Sequence, residues 1–200
     1  LSPTLRECAL PREPFARLIE ANRRDQRVAR YATQAELLDY CRFSADPVGR
    51  LVLHVFGAAT PERIALSDRI CTALQLAEHC QDVAEDRANG RVYLPQELLA
   101  QCGARDAELD AATASPALRL AVRREAELAR ALLDLGEPLI GSLHGTPRLA
   151  VAGFAAGGHA ALDGLARVGW DVLGRRPRVA KRDFARRFAA LLVRARRRAK

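Results

Sequence analysis

The sequence predicts an all-α protein folded as a single domain, and three observations carry that prediction. Threonine or serine stands directly before proline at Thr60-Pro61, Ser115-Pro116 and Thr146-Pro147. Each pair offers an N-cap side chain followed by proline at the first helical position, where a missing N–H costs nothing. Alanine fills many apolar positions while aromatic residues make up only 5% of the chain, which favours closely packed helices over sheets. No run alternates apolar and polar residues as a half-buried strand would, and no segment repeats. With 200 residues, 49% of them hydrophobic, there is enough apolar surface to build a substantial core.

Residues 11–24 form a short first helix. Thr33 caps a helix that runs to residue 56, kinked in its middle by Pro47 and Gly49. Thr60-Pro61 starts the longest helix, ending near residue 89; its roughly 29 residues, rising 1.5 Å each, make about 43 Å, enough for one wall of an elongated cavity. Residues 95–101 form a short helix that Gly103 ends, and 107–112 another turn. Ser115 caps a long helix towards residue 143, and Thr146 caps the next towards 168. Within the latter, 149–165 is the most apolar-leaning stretch, yet it holds His159, Asp163 and four glycines, so it reads as a buried helix and not a membrane span. Residues 181–198 form a final basic helix. The expected division is a helical domain over 1–181 and a basic helix or tail over 182–200.

Charge separates these two parts. Between residues 175 and 200 twelve Lys/Arg face the single Asp183, a net of +11 in a chain whose total is +8, so the body is mildly acidic. A nucleic-acid binder is expected to carry a basic stripe with recognition elements on its folded surface, and none of the known motifs appears. The terminal arginine run is expected to be a solvated tail or to touch anionic lipid headgroups. The five cysteines, Cys8, Cys41, Cys71, Cys80 and Cys102, form no C-x-x-C pair, and an odd number argues against a disulfide framework and for a reducing cytoplasm. His54, His79, His144 and His159 lack H-x-x-x-H spacing, and none is expected to be a ligand.

The stretch 75–95, QLAEHCQDVAEDRANGRVYLP, carries the chemistry. Asp82 and Asp86 are four residues apart on the long helix, so their side chains project about 40° from one another. Glu78 falls about 40° to one side of Asp82 and Gln75 about 20° to the other, making one narrow stripe of oxygen donors. Such a stripe suits Mg²⁺, which takes one or two carboxylates, keeps several waters and completes its shell with substrate phosphates. A solvated acidic face is the alternative. Against it, the aspartates sit near a helix C-terminus, where the macrodipole disfavours negative charge unless a cation relieves it. Gly90 then turns the chain so that Arg91 and Tyr93 return beside the carboxylates, placed to hold a departing diphosphate.

This block, from Gln75 through Asp82 and Asp86 to Gly90-Arg91-Val92-Tyr93-Leu94-Pro95, resembles the second aspartate-rich motif of the squalene/phytoene synthase family. A second block, Tyr40-Cys41-Arg42-Phe43-Ser44-Ala45-Asp46-Pro47-Val48-Gly49-Arg50, is similar to the family's tunnel-lining helix, and the stretches 10–15, 20–27 and 30–33 look most like its bacterial hydroxysqualene synthase branch. The resemblance covers about residues 10–181. It implies an isoprenoid-synthase-like helical bundle around a central hydrophobic cavity, with Mg²⁺ on Asp82, Asp86 and Glu78 and with Tyr40, Arg91 and Tyr93 in catalysis. Gln75, Ala45, Val48, Gly49 and Arg176 are then expected to bind substrate. The implied activity is ionisation of presqualene diphosphate to a hydroxysqualene or squalene-type C30 product. Condensation of two prenyl diphosphates, as in phytoene or dehydrosqualene synthases, and a non-catalytic assembly role are the alternatives. No nucleic-acid partner is expected; the setting implied is the cytoplasm, with peripheral contact to the inner face of the plasma membrane through the basic C-terminus. Two departures stand out. Glu78 replaces the family's usual asparagine, and no D-x-x-x-D precedes Tyr40. With no methionine anywhere in the sequence, the chain is expected to be an N-terminally truncated piece, inactive alone.

Overall fold

The computed structural model describes residues 7–174 and 179–198. Among these are ten α-helices, one 3₁₀ turn and no strand; the helices are α1 (Arg12–Asp25), α2 (Gln34–Ser44), α3 (Asp46–Val55), α4 (Pro61–Gln81), α5 (Val83–Ala88), α6 (Gln96–Cys102), α7 (Pro116–Gly136), α8 (Pro138–Ser142), α9 (Gly145–Arg167) and α10 (Lys181–Arg198), with the 3₁₀ turn at Asp106–Asp110 between α6 and α7. The all-α expectation holds. Three of the caps are as the sequence predicts: Thr33 accepts from the Glu36 amide, Thr60 from Arg63 and Ser115 from Leu118. The fourth is not. The helix at Thr146 begins instead at Gly145 and has no side-chain cap.

Three expected long helices are each broken in two. The first breaks at Ala45, because Pro47 in the next turn has no N–H to continue the ladder. The second breaks at Asp82, whose φ of −102° and ψ of 14° leave the helical region. Asp82 N still bonds the Glu78 carbonyl at 2.9 Å, and Asp86 N the Asp82 carbonyl at 2.7 Å, so the chain bends without unravelling. A short aspartate side chain competes for nearby backbone groups, which makes it a weak interior helix residue. The third breaks at Glu137, before Pro138.

Helix α4 sits at the centre, packed most extensively against α7 and also against α3 and α9. Its buried residues, Ser67, Ile70, Thr72, Ala73, Leu76, Ala77, His79 and Cys80, cover about two thirds of its circumference, and the sector left between Ser67 and His79 carries Cys71, Gln75 and Glu78. Close approach relies on small residues. A Cβ on Gly49 of α3 would lie 2.3 Å from Ser67 Oγ and 2.5 Å from Cys71 Sγ, and one on Gly136 of α7 would lie 2.5 Å from Ile70 Cγ1. Helix α9 is long and apolar enough by composition to cross a membrane, but 61% of its most apolar window is buried inside the protein, as a core helix should be. The basic helix α10 is not simply solvated. It packs on α8 and α9 with Leu191 and Ala195 buried, and Arg187 pairs with Asp163 of α9 at 2.9 Å.

Past α5, Gly90 with φ of +75° reverses the chain. The following segment is tied to residues 29–32: Val92 N bonds Ala29 O at 2.8 Å, and Gln96 N and Glu97 N bond Tyr31 O and Ala32 O at 3.0 Å. These bonds fix Arg91 and Tyr93 against the end of α1.

Candidate active site

Asp25, the last residue of α1, organises one side of the site. Tyr40 of α2 donates its hydroxyl to Asp25 Oδ2 at 3.0 Å, and Tyr93 donates to Oδ1 at 3.2 Å. Arg91 Nη2 donates to the Asp25 carbonyl at 3.3 Å. One residue therefore positions three predicted site residues. Around it the rings of Tyr31, Tyr40, Tyr93 and His79 form a buried cluster, with His79 stacked on Tyr93 at 3.8 Å between centroids. Burial pushes the His79 imidazole down to about 3, so it is neutral here. Burial and the Asp25 hydrogen bond both raise the Tyr40 phenol above its ordinary range, so it acts as a donor and not as a base.

The acidic stripe lies at the bend between α4 and α5. Gln75 Nε2 reaches Glu78 Oε2 at 3.4 Å. Burial, then the charge of Asp82, raises the Glu78 carboxyl, and burial with Asp82 and Glu85 pushes Asp86 up to about 6, opposed by Arg91. Desolvated, mutually repelling carboxylates resist ionisation unless a cation joins them. The two aspartates border different clefts. Asp82 lines a polar cleft of about 270 Å³ with Gln81, Glu85, Val172 and Leu173, whereas Asp86 borders a small enclosed gap against His79 and Tyr93. The three carboxylates consequently do not converge as one tight donor set; among the described residues the group that does is Asp134, Glu137 and His159.

An apolar cavity of about 190 Å³ lies further along the same helix, lined by residues including Val48, Gly49, Ser67, Cys71, Leu74 and Phe154. At 100° per residue Ser67, Cys71, Leu74, Glu78 and Asp82 fall within about 80° of one another on α4. One face thus changes from apolar to acidic over the roughly 12 Å between Leu74 and Asp82. Of the residues expected to line a tunnel, Gly49 and Val48 border this cavity; Val48 is 48% exposed and shares a second apolar hollow with Leu18, Val52 and Val55. Ala45 is buried at the α2–α3 break and does not line the cavity. Arg176 lies outside the described residues.

Sequence reasoning did not single out Asp25. In the run Arg23-Arg24-Asp25-Gln26-Arg27 it looks like part of a solvated charged face, and only the tertiary approach of Tyr40 and Tyr93 gives it its role. Two buried carboxyls were missed as well. Asp46 accepts from Thr72 Oγ1 at 2.9 Å and is pushed up to about 7 by burial and by Asp68. Glu125 of α7 accepts from Gln34 Nε2 at 2.8 Å, and burial brings it to about 7.

Comparison with known proteins places this geometry. The family model for squalene/phytoene synthase matches residues 1–183. Hydroxysqualene synthase of Rhodopseudomonas palustris is 39% identical over 140 residues, 70% of this chain and 48% of that protein, and its counterpart in Zymomonas mobilis is 38% identical over 128 residues, 64% of this chain and 43% of that protein. The chain thus spans about half the length of the curated relatives it matches. Among solved structures, squalene synthase HpnC from Alicyclobacillus acidocaldarius superposes with a TM-score of 0.79 at 48% identity, covering 83% of this chain and 63% of that one. A dehydrosqualene synthase solved with a ligand shares the fold at TM-score 0.86 and 20% identity, over 94% of this chain and 67% of its own.

Proposed function

The chain belongs to the squalene/phytoene synthase family, and from that premise we propose that the intact protein processes prenyl diphosphates, ionising presqualene diphosphate to a hydroxysqualene or squalene-type C30 product. The observation that carries this is the face of α4, apolar at Cys71 and Leu74 and acidic at Glu78 and Asp82. A substrate with a hydrocarbon tail and a diphosphate head matches that polarity along one helix. Names of the relatives, hydroxysqualene and squalene synthase, support the C30 branch.

Glu78, Asp82 and Asp86 suit Mg²⁺ bound by one or two carboxylates with substrate phosphate completing its shell: all offer oxygen, and the raised carboxyls of Glu78 and Asp86 would be relieved by a dication. When bound, the metal neutralises diphosphate and makes it a better leaving group. The chain's own residues do the rest. Arg91, on the segment after Gly90, takes up charge on the departing diphosphate. Asp25 fixes the phenol oxygens of Tyr40 and Tyr93, which attend the positive charge left on the hydrocarbon, and the apolar cavity keeps stray water from it. Peripheral contact of the basic C-terminus with anionic lipid, on the cytoplasmic side, suits so apolar a product.

Presqualene, farnesyl and geranylgeranyl diphosphates, each incubated with the intact protein and Mg²⁺, test the reading. Turnover of presqualene diphosphate is expected; condensation of geranylgeranyl diphosphate alone would identify a phytoene synthase instead. Asp82→Asn is expected to reduce diphosphate release by about a hundredfold or more with helicity unchanged. Activity within twofold of the parent, or no turnover of any of the three substrates, would remove the proposal.

A further inference from the structure

Away from the site just described, α7, α9 and α10 enclose a second constellation. His159 of α9 is 3% exposed, and neither ring nitrogen makes a hydrogen bond. A buried imidazole normally finds a partner, so this one is anomalous. Its Nε2 faces two carboxylates at the C-terminal end of α7, lying 3.4 Å from Glu137 Oε1 and 3.8 Å from Asp134 Oδ1. The three donor atoms all lie within 4.8 Å of one another.

We infer that Asp134, Glu137 and His159 form a binding site for a divalent transition metal of the zinc class. Ligands held at 2.0–2.2 Å in a tetrahedron stand about 3.3–3.5 Å apart, close to the His159–Glu137 spacing. Asp134 is 60% exposed, so its side chain can rotate towards the other two and leaves the fourth position to water. The donor set, one imidazole and two carboxylates, suits zinc better than Mg²⁺, which avoids nitrogen. Location adds a reason. Both carboxylates sit where the α7 macrodipole disfavours negative charge, and Arg194 Nη1 lies 3.5 Å from Glu137 Oε1. The site ties the Glu137 break to the middle of α9, so its role is to fasten helices and not to take part in ionising substrate. The absence of H-x-x-x-H spacing hides it from sequence inspection, because its ligands come from two helices.

Cobalt and zinc titrations test this. In the intact protein carrying Asp82→Asn and Asp86→Asn, which removes the oxygen-donor stripe, one equivalent of Co²⁺ should give the intense visible bands of a tetrahedral centre, and Zn²⁺ should displace it and raise the melting temperature. His159→Gln should abolish the bands. Asp134→Asn, at an exposed position that leaves folding intact, should weaken Zn²⁺ binding at least tenfold. Failure of the parent to bind Co²⁺ or Zn²⁺ would overturn the assignment. So would a weak octahedral spectrum, or unchanged affinity in Asp134→Asn; each would mean that His159 is simply a buried imidazole beside an acidic pair.

Discussion

Glu125 shows how much a single side chain depends on its surroundings. It is 1% exposed, holds one hydrogen bond from Gln34, and burial lifts its carboxyl from an ordinary 4.5 to about 7. Below about pH 4.5 the group is protonated in both folded and unfolded chains and contributes no pH dependence. As pH rises towards 7 the unfolded chain releases the proton while the folded one keeps it, so stability falls across that window and levels off above it. A shift of this size corresponds to roughly 3 kcal/mol. Glu125→Gln keeps the acceptor for Gln34 and removes the titration. It should therefore be more stable than the parent at pH 8 by an amount of that order and lose the difference at pH 4.5, as read by urea unfolding at the two pH values. Asp25 tests the opposite situation, an acceptor whose loss orphans others. Asp25→Ala leaves the hydroxyls of Tyr40 and Tyr93 without their partner and should destabilise by about 2–4 kcal/mol in the same assay, whereas Asp25→Asn retains most of that stability.

Among the helices, function follows from where each stops. The helix breaks at Asp82, and Asp82 and Asp86, still joined through the Asp86 N–Asp82 O bond, border different clefts. Sequence spacing alone predicts a shared stripe on a straight cylinder; the helix breaks at Asp82, while the charges of Asp82 and Glu78 still act on Asp86. The contact of α3 with α4 is decided by Gly49, since any Cβ there meets Ser67 and Cys71 at less than 2.6 Å. Gly49→Val is expected to push these helices apart, costing about 1–3 kcal/mol, and to narrow the apolar cavity. Chemical denaturation checks the first effect; with the proposed activity as readout, a shift towards shorter prenyl diphosphates in a substrate competition checks the second. Helix ends were legible where a side chain caps locally, as at Thr33, Thr60 and Ser115. The break at Ala45 was signalled by Pro47, whereas the helix expected to run to residue 143 gave no warning of its break before Pro138; proline only excludes continuation, and packing decides where the chain turns.

Over the whole molecule, an acidic body carries a strongly basic C-terminal segment, and α10 lies along α8 and α9 with its buried side chains Leu191 and Ala195 inward and several arginines outward. Arg187 is spent on Asp163, so only part of the segment's charge is free for lipid. Binding to vesicles rich in anionic lipid should therefore be modest and lost on raising the salt, whereas zwitterionic vesicles should not bind; co-sedimentation at two ionic strengths measures both. The sequence by itself determined the helical class, most helix starts and the family, because caps, prolines and a contiguous motif act over a few residues. Only the tertiary structure decided that Asp25 joins Tyr40 to Tyr93, that Asp46 and Glu125 are buried carboxyls, and that His159 faces Asp134 and Glu137. Each of those pairings spans between fifteen and ninety-odd residues, and such distances are closed by packing, to which local spacing is blind.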